Sequence, residues 1–147
     1  MARAGGSGFG IAALASAVTL RRTKRVVTRA VEWDSWQVTE LAQAHCEACA
    51  PGTPPLPEED AAALSAEAPG WEREGNRTLR REFSFPNFRD AFGLVARAAL
   101  LAESEGHHPD IELGWGRVAF SLTTHAAGGL TRNDFIMAVQ IDRLAGD

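Results

Sequence analysis

Apolar residues along this chain recur with two periods, and the changes between them predict five elements in the order helix, hairpin, helix, hairpin, helix. The clearest period of two is in GRVAFSLTTH, where Val118, Phe120 and Leu122 alternate with Ala119, Ser121 and Thr123. DIELGW precedes it, so the two segments predict a hairpin about a tight turn containing Gly114. An earlier hairpin is predicted in WEREGNRTLRREFSF, turning at Gly75-Asn76. It sets Leu79, Arg81, Phe83 and Phe85 on one face and Arg80, Glu82 and Ser84 on the other, with Arg81 interrupting the apolar side. Between the hairpins, NFRDAFGLVARAALLAESEG has helical spacing at Phe88, Phe92, Val95, Ala99 and Leu100. Asn87 is its expected cap, with Asp90 three residues on, and Gly106 its expected end. GGLTRNDFIMAVQIDRL closes the chain as a helix, with Thr131 and Asp134 approximating a capping box. Before the hairpins, EWDSWQVTELAQAHCEAC is mildly helical. Four prolines from Pro51 to Pro57 then break the chain, and Pro57-Glu58-Glu59-Asp60 starts a short helix running to Ala68.

This order predicts a single α+β domain: a four-stranded antiparallel sheet with three helices packed on one face. Charge divides the chain. Residues 1–31 carry six basic residues and no acid. The remaining residues hold 9 of the 15 basic residues against all 19 acids, a net charge of −10. So acidic a body is a poor surface for nucleic acid, where Lys and Arg must neutralise phosphates. The basic, acid-free, Ala- and Ser-rich leader has the composition of an organelle transit peptide, to chloroplast or mitochondrion. Its Arg cluster follows the apolar run FGIAALASAVTL, unlike a secretory signal, and that run is too short to span a bilayer. The expected division is therefore a transit peptide over 1–31 and a domain over 32–147, with no membrane partner. Two cysteines, Cys46 and Cys49, rule out a secreted disulfide scaffold. With His45 they fall short of a structural zinc set, and no βαβ pattern supports a redox role. A reduced structural pair, or a half-site completed by a partner, remains.

Candidate chemistry gathers late in the chain. His107 and His108 follow the long helix, and Pro109 biases His108 toward extended backbone. Adjacent residues in an extended strand face opposite ways, so both reach one cavity only if the chain bends at the helix-to-strand corner. The second hairpin folds back and returns His125 to that corner, while Trp115 stays at its turn end. Glu103 and Asp134 are the carboxylates positioned to orient imidazoles. Adjacent histidines lack the i, i+4 spacing of helical zinc motifs, so acid–base work near neutral pH fits better than a metal.

Glu103-x3-His107-His108-Pro109-x5-Trp115-x9-His125-x8-Asp134 resembles the signature of the pterin-4a-carbinolamine dehydratase family, with seven positions matched over 32 residues. CEACAPGTPPLPEEDAAALSAEAPGWE resembles the opening of bacterial and plant members, and GLTRNDFIMAVQIDRL their closing helix. The resemblance implies the same sheet with three helices, assembled as a homodimer or homotetramer. It implies dehydration of a 4a-hydroxytetrahydropterin, such as 4a-hydroxytetrahydrobiopterin, to quinonoid dihydropterin in tetrahydropterin recycling, with no cofactor and no metal. On that likeness His107 and His125 take acid–base roles and His108 grips the pterin. Glu103, Pro109 and Asp134 support, and Trp115 walls the pocket. The family also implies an alternative: a non-catalytic organellar protein-binding factor of the dehydratase-like type that assists Rubisco assembly.

Overall fold

The computed structural model describes residues 40–146, so the expected transit peptide at 1–31 and the domain start at 32 lie outside the described residues. The elements are α1 (Glu40–Gln43), α2 (Glu58–Ser65), β1 (Glu72–Glu74), β2 (Thr78–Ser84), α3 (Phe88–Glu105), β3 (Asp110–Gly114), β4 (Arg117–Leu122) and α4 (Arg132–Gly146). The strands form one antiparallel sheet in the order β1-β2-β4-β3. The two predicted hairpins therefore join through β2 and β4. Leu79, Arg81 and Phe83 stand opposite Leu122, Phe120 and Val118 across that seam. Leu79, Val118, Phe120 and Leu122 are fully buried in a core shared with Leu94, Phe135, Met137 and Ile141 of the helices. The other face of the sheet carries paired charges, Arg80 with Glu112 at 3.1 Å and Arg117 with Glu82 at 2.9 Å. This is the expected α+β arrangement, one sheet with its helices on one side. No helix among the described residues is long and apolar enough to cross a membrane.

The long helix forms where expected but buries a different face. Asn87 caps α3, its side-chain oxygen accepting from the Asp90 N–H at 2.9 Å. The buried positions are Ala91, Leu94, Ala98 and Ala102, whereas Phe92 is 54% and Leu100 73% exposed. Three alanines let the helix backbone approach α4 and the sheet closely, leaving the larger stripe outward. Phe88 and Phe92 stack on each other there, with ring centroids 6.5 Å apart. The second helix is also shorter than expected: it ends at Ser65, and a turn carries the chain to Ala68.

Arg81, which interrupts the apolar face of β2, has partners that explain it. Its guanidinium lies 4.7 Å from the centroid of the Phe83 ring and donates to Asp142 Oδ2 at 2.8 Å. The Trp71 indole N–H donates to Asp142 Oδ1 at 2.9 Å. Burial raises the Asp142 carboxyl above its ordinary 3.8, and the indole bond and the Arg81 charge only partly oppose it. A carboxyl whose folded pKa is raised binds its proton more tightly in the folded state. Its contribution to stability is thus full below the unfolded value and is lost as pH rises through the folded value. The stability of wild type relative to Asp142→Asn should therefore fall as pH rises from the ordinary carboxylate value of 3.8 through the raised folded value. Denaturant midpoints of both proteins measure this, and a wild-type stability that rises relative to Asp142→Asn with pH would overturn it.

Candidate active site

Gly106 ends α3 in the left-handed conformation, φ 64°, where a side chain would be strained. That bend lets two consecutive histidines serve one site. His107 turns inward, its side chain 11% exposed, with Nε2 2.8 Å from Asp134 Oδ1. His108 turns outward, with Nε2 3.0 Å from Glu103 Oε1. Pro109 then leads half-buried into β3. Each carboxylate named from the sequence thus has an imidazole, and the buried one belongs to His107.

Asp134 is wholly inaccessible. Its Oδ2 accepts the Thr131 N–H at 2.7 Å and the Thr124 hydroxyl at 2.8 Å. This is half of the expected capping box: the carboxylate reaches back to the helix start, while the Thr131 hydroxyl turns to Thr124 Oγ1 at 2.8 Å. One side chain therefore both starts α4 and orients His107. A carboxylate oxygen accepts, so in the tautomer that donates to it through Nε2 the ring of His107 keeps Nδ1 free of Asp134.

His125 arrives by register. Asp110 pairs with Ser121, so the residues just before β3 and just after β4 meet at one end of the sheet. His125 opens a 3₁₀ turn, His125–Ala127, that returns at Gly129 to bridge Thr124. The return packs against the first hairpin, where a Cβ on Gly129 would come 2.7 Å from the Asn76 carbonyl oxygen. Only glycine allows that approach. The Leu130 N–H donates to the same oxygen at 3.0 Å.

His107, His108, Thr124 and His125 line a cavity of about 290 Å³, together with Glu47, Cys49 and Asn133. A larger cleft of about 500 Å³ shares Glu47 and Asn133 with it and is also lined by His45, Cys46, Arg132 and Ile136. It holds none of the three clustered imidazoles, so the smaller cavity is the chemically equipped one.

Trp115 does not join this site within the chain. It is 76% exposed in the turn between β3 and β4, five residues of strand from Asp110, or about 17 Å at roughly 3.4 Å per residue. Among the described residues, part of the cavity lining comes from the HCEAC segment, whose cysteines the sequence reads as a reduced structural pair or a half-site completed by a partner. Asn133 holds that segment to the start of α4, accepting the Glu47 N–H at 3.0 Å and donating to the Glu47 carbonyl at 2.6 Å. Glu105 holds it to α3, accepting the Cys46 N–H at 2.8 Å and meeting His45 Nδ1 at 2.9 Å. Burial, with the charges of Glu105 and Asp134, pushes the Cys46 thiol up to about 12. It stays protonated at neutral pH, the form that neither binds metal nor attacks a disulfide.

Comparison with known proteins supplies the rest. The model of a family described as pterin 4 alpha carbinolamine dehydratase matches residues 54–144. A Rubrobacter xylanophilus protein with the provisional name pterin-4-alpha-carbinolamine dehydratase is 46% identical over 107 residues, 73% of this chain and all of its own length. A Methylococcus capsulatus protein with the same provisional name is 43% identical over 108 residues, 73% of this chain and 95% of its own. Among solved structures, a transcriptional coactivator/pterin dehydratase from Brucella melitensis aligns with a TM-score of 0.59 at 36% identity. That alignment covers 62% of this chain and 98% of the Brucella chain.

Proposed function

This chain belongs to the pterin-4a-carbinolamine dehydratase family, and from that premise we propose how its own residues carry the reaction. It is a hydro-lyase that converts a 4a-hydroxytetrahydropterin to the quinonoid dihydropterin and water. The C4a–O bond breaks, the hydroxyl leaves with an added proton, and N5 gives up its proton as the C4a–N5 double bond forms. One group must donate a proton while another accepts one, and imidazoles do both near neutral pH. His107 and His125 form the acid–base pair, and His108, held by Glu103, grips and polarises the pterin. Asp134 and Pro109 act through the histidines they hold. The observation that best supports this reading is the shared cavity of the three histidines, one of them fixed by an inaccessible carboxylate.

A stopped-flow assay on 4a-hydroxytetrahydropterin tests it, using the chain without residues 1–31. The expected result is acceleration over spontaneous dehydration, unchanged after dialysis against a strong chelator. No acceleration would leave the non-catalytic assembly-factor reading standing.

Two further parts of the reading concern address and assembly. Residues 1–31 keep the composition of a transit peptide, although the relatives compared above are bacterial. A chloroplast or mitochondrial address is therefore read directly, from the destination of a reporter fused to that segment. A homodimer or homotetramer is expected because, among the described residues, β1 and β3 are the edges of the sheet and Phe88, Phe92 and Leu100 of α3 are exposed. Sedimentation at micromolar concentration should give a dimer or larger, reduced by Phe92→Glu. A fully active monomer would show that these surfaces are covered in another way.

A further inference from the structure

The lining of the histidine cavity includes an acidic residue, Glu47, that the acid–base scheme leaves without a task. Glu103 is engaged by His108, Asp134 by His107, and Glu105 by His45 and the Cys46 N–H. Glu47 lines both this cavity and the adjoining cleft, and among the described residues its carboxylate makes no hydrogen bond. Its backbone is the opposite case. The Asn133 amide holds both the Glu47 N–H and its carbonyl, and Asn133 is itself 6% exposed. One residue away, Glu105 takes the Cys46 N–H. The segment bearing Glu47 is thus tied to the end of α3, two residues before His107, and to α4 beside Asp134. Those are the same two elements that hold the His107–Asp134 pair. An exposed loop with no role in the site would not need a fixed position relative to it.

The chemistry of the substrate suggests what such a carboxylate would meet. A pterin offers, on its pyrimidine edge, two parallel donors, the ring N3–H and the 2-amino group. The atoms that react, C4a and N5, lie away from that edge. Two parallel N–H groups and one carboxylate make the fork geometry that gives strong, directional pairing. We propose that Glu47 is a specificity-determining residue that accepts from N3–H and the 2-amino group of the pterin, with Asn133 as its positioning residue. The inference rests on the dehydratase reading above. It adds to it the residue that orients the ring so that C4a and N5 face the histidines.

The test uses Glu47→Gln in the leaderless protein, with Glu67→Gln, an exposed carboxylate on the turn after α2, as a control for net charge. The dehydration assay should give a KM raised on the order of ten- to a hundredfold, with kcat changed little, as expected when binding common to ground and transition states is lost. A second measurement separates recognition from a change in loop structure. A dihydropterin and its analogue lacking the 2-amino group are compared as competitive inhibitors. Wild type should prefer the parent compound, and Glu47→Gln should lose most of that preference. A variant that keeps wild-type KM and wild-type preference overturns the proposal while leaving the enzyme assignment intact. Equal weakening of both inhibitors also overturns it, because the loss would then be structural. Absence of dehydration by the wild-type protein is a different failure, that of the function itself.

Discussion

His107→Ala should lower the catalysed dehydration rate by roughly 10²–10⁴, the usual contribution of a positioned acid or base. His107 carries the expectation most strongly because its orientation is fixed twice. Gly106 bends the chain immediately before it, and Asp134 Oδ1 holds its Nε2 at 2.8 Å. The ring therefore presents Nδ1 in one direction without an entropy cost at the moment of reaction. His125→Ala should fall in the same range if it is the partner, since the reaction needs a donor and an acceptor together. His108→Ala should act differently. Its ring is bonded to an exposed glutamate and grips rather than transfers, so KM should rise more than kcat falls. His107→Ala also removes a hydrogen bond to a buried carboxylate, at about 1–3 kcal/mol. Rates should be compared well below the midpoints of all variants, with circular dichroism showing a retained fold. Wild-type rates in folded His107→Ala and His125→Ala would end the acid–base assignment.

Much of this arrangement was legible in the chain, and the parts that were not share a cause. Period-two alternation of the large apolar residues Val118, Phe120 and Leu122 located β4, because they line its core face, although the small Ala119 on the other face is buried as well. Register then brought His125 to the His107 corner, since a hairpin of known length places its ends together. The buried face of α3 was misread because alanines contribute little to an apolar pattern yet permit the closest helix approach. The aromatic stripe gave the stronger signal and faces outward. Trp115 stands at the turn end of the hairpin as its spacing indicates, and only the family resemblance gives it a place in the pocket wall. Arg81 looked like a flaw in β2 because its partners, Asp142 and the Pro69 carbonyl, are distant in sequence. Asn133 and Glu47 were missed for the same reason. Nothing local distinguishes an asparagine that clamps a loop 86 residues away from one that faces water.

Asp134 offers the sharpest separation of stability from chemistry. Asp134→Ala removes the acceptor for the Thr131 N–H, the Thr124 hydroxyl and His107 Nε2 at once, in a place water does not reach. Several buried donors left unmatched should together cost on the order of 3–5 kcal/mol. For a domain of this size that lowers the melting midpoint by about 10 °C or more. Asp134→Asn should behave otherwise. Its amide oxygen can still accept from Thr131 and Thr124, so most of the stability should remain. Its amide nitrogen, however, would face His107 and can only donate. His107 would have to accept through Nε2 and carry its proton on Nδ1, the opposite tautomer for exchange with the substrate. Activity should then drop by roughly 10²–10⁴ while the midpoint stays near wild type. Such a result would identify Asp134 as a positioning residue acting through His107, because a purely structural carboxylate would lose stability and activity together. If Asp134→Asn keeps both, the carboxylate does no more than cap α4.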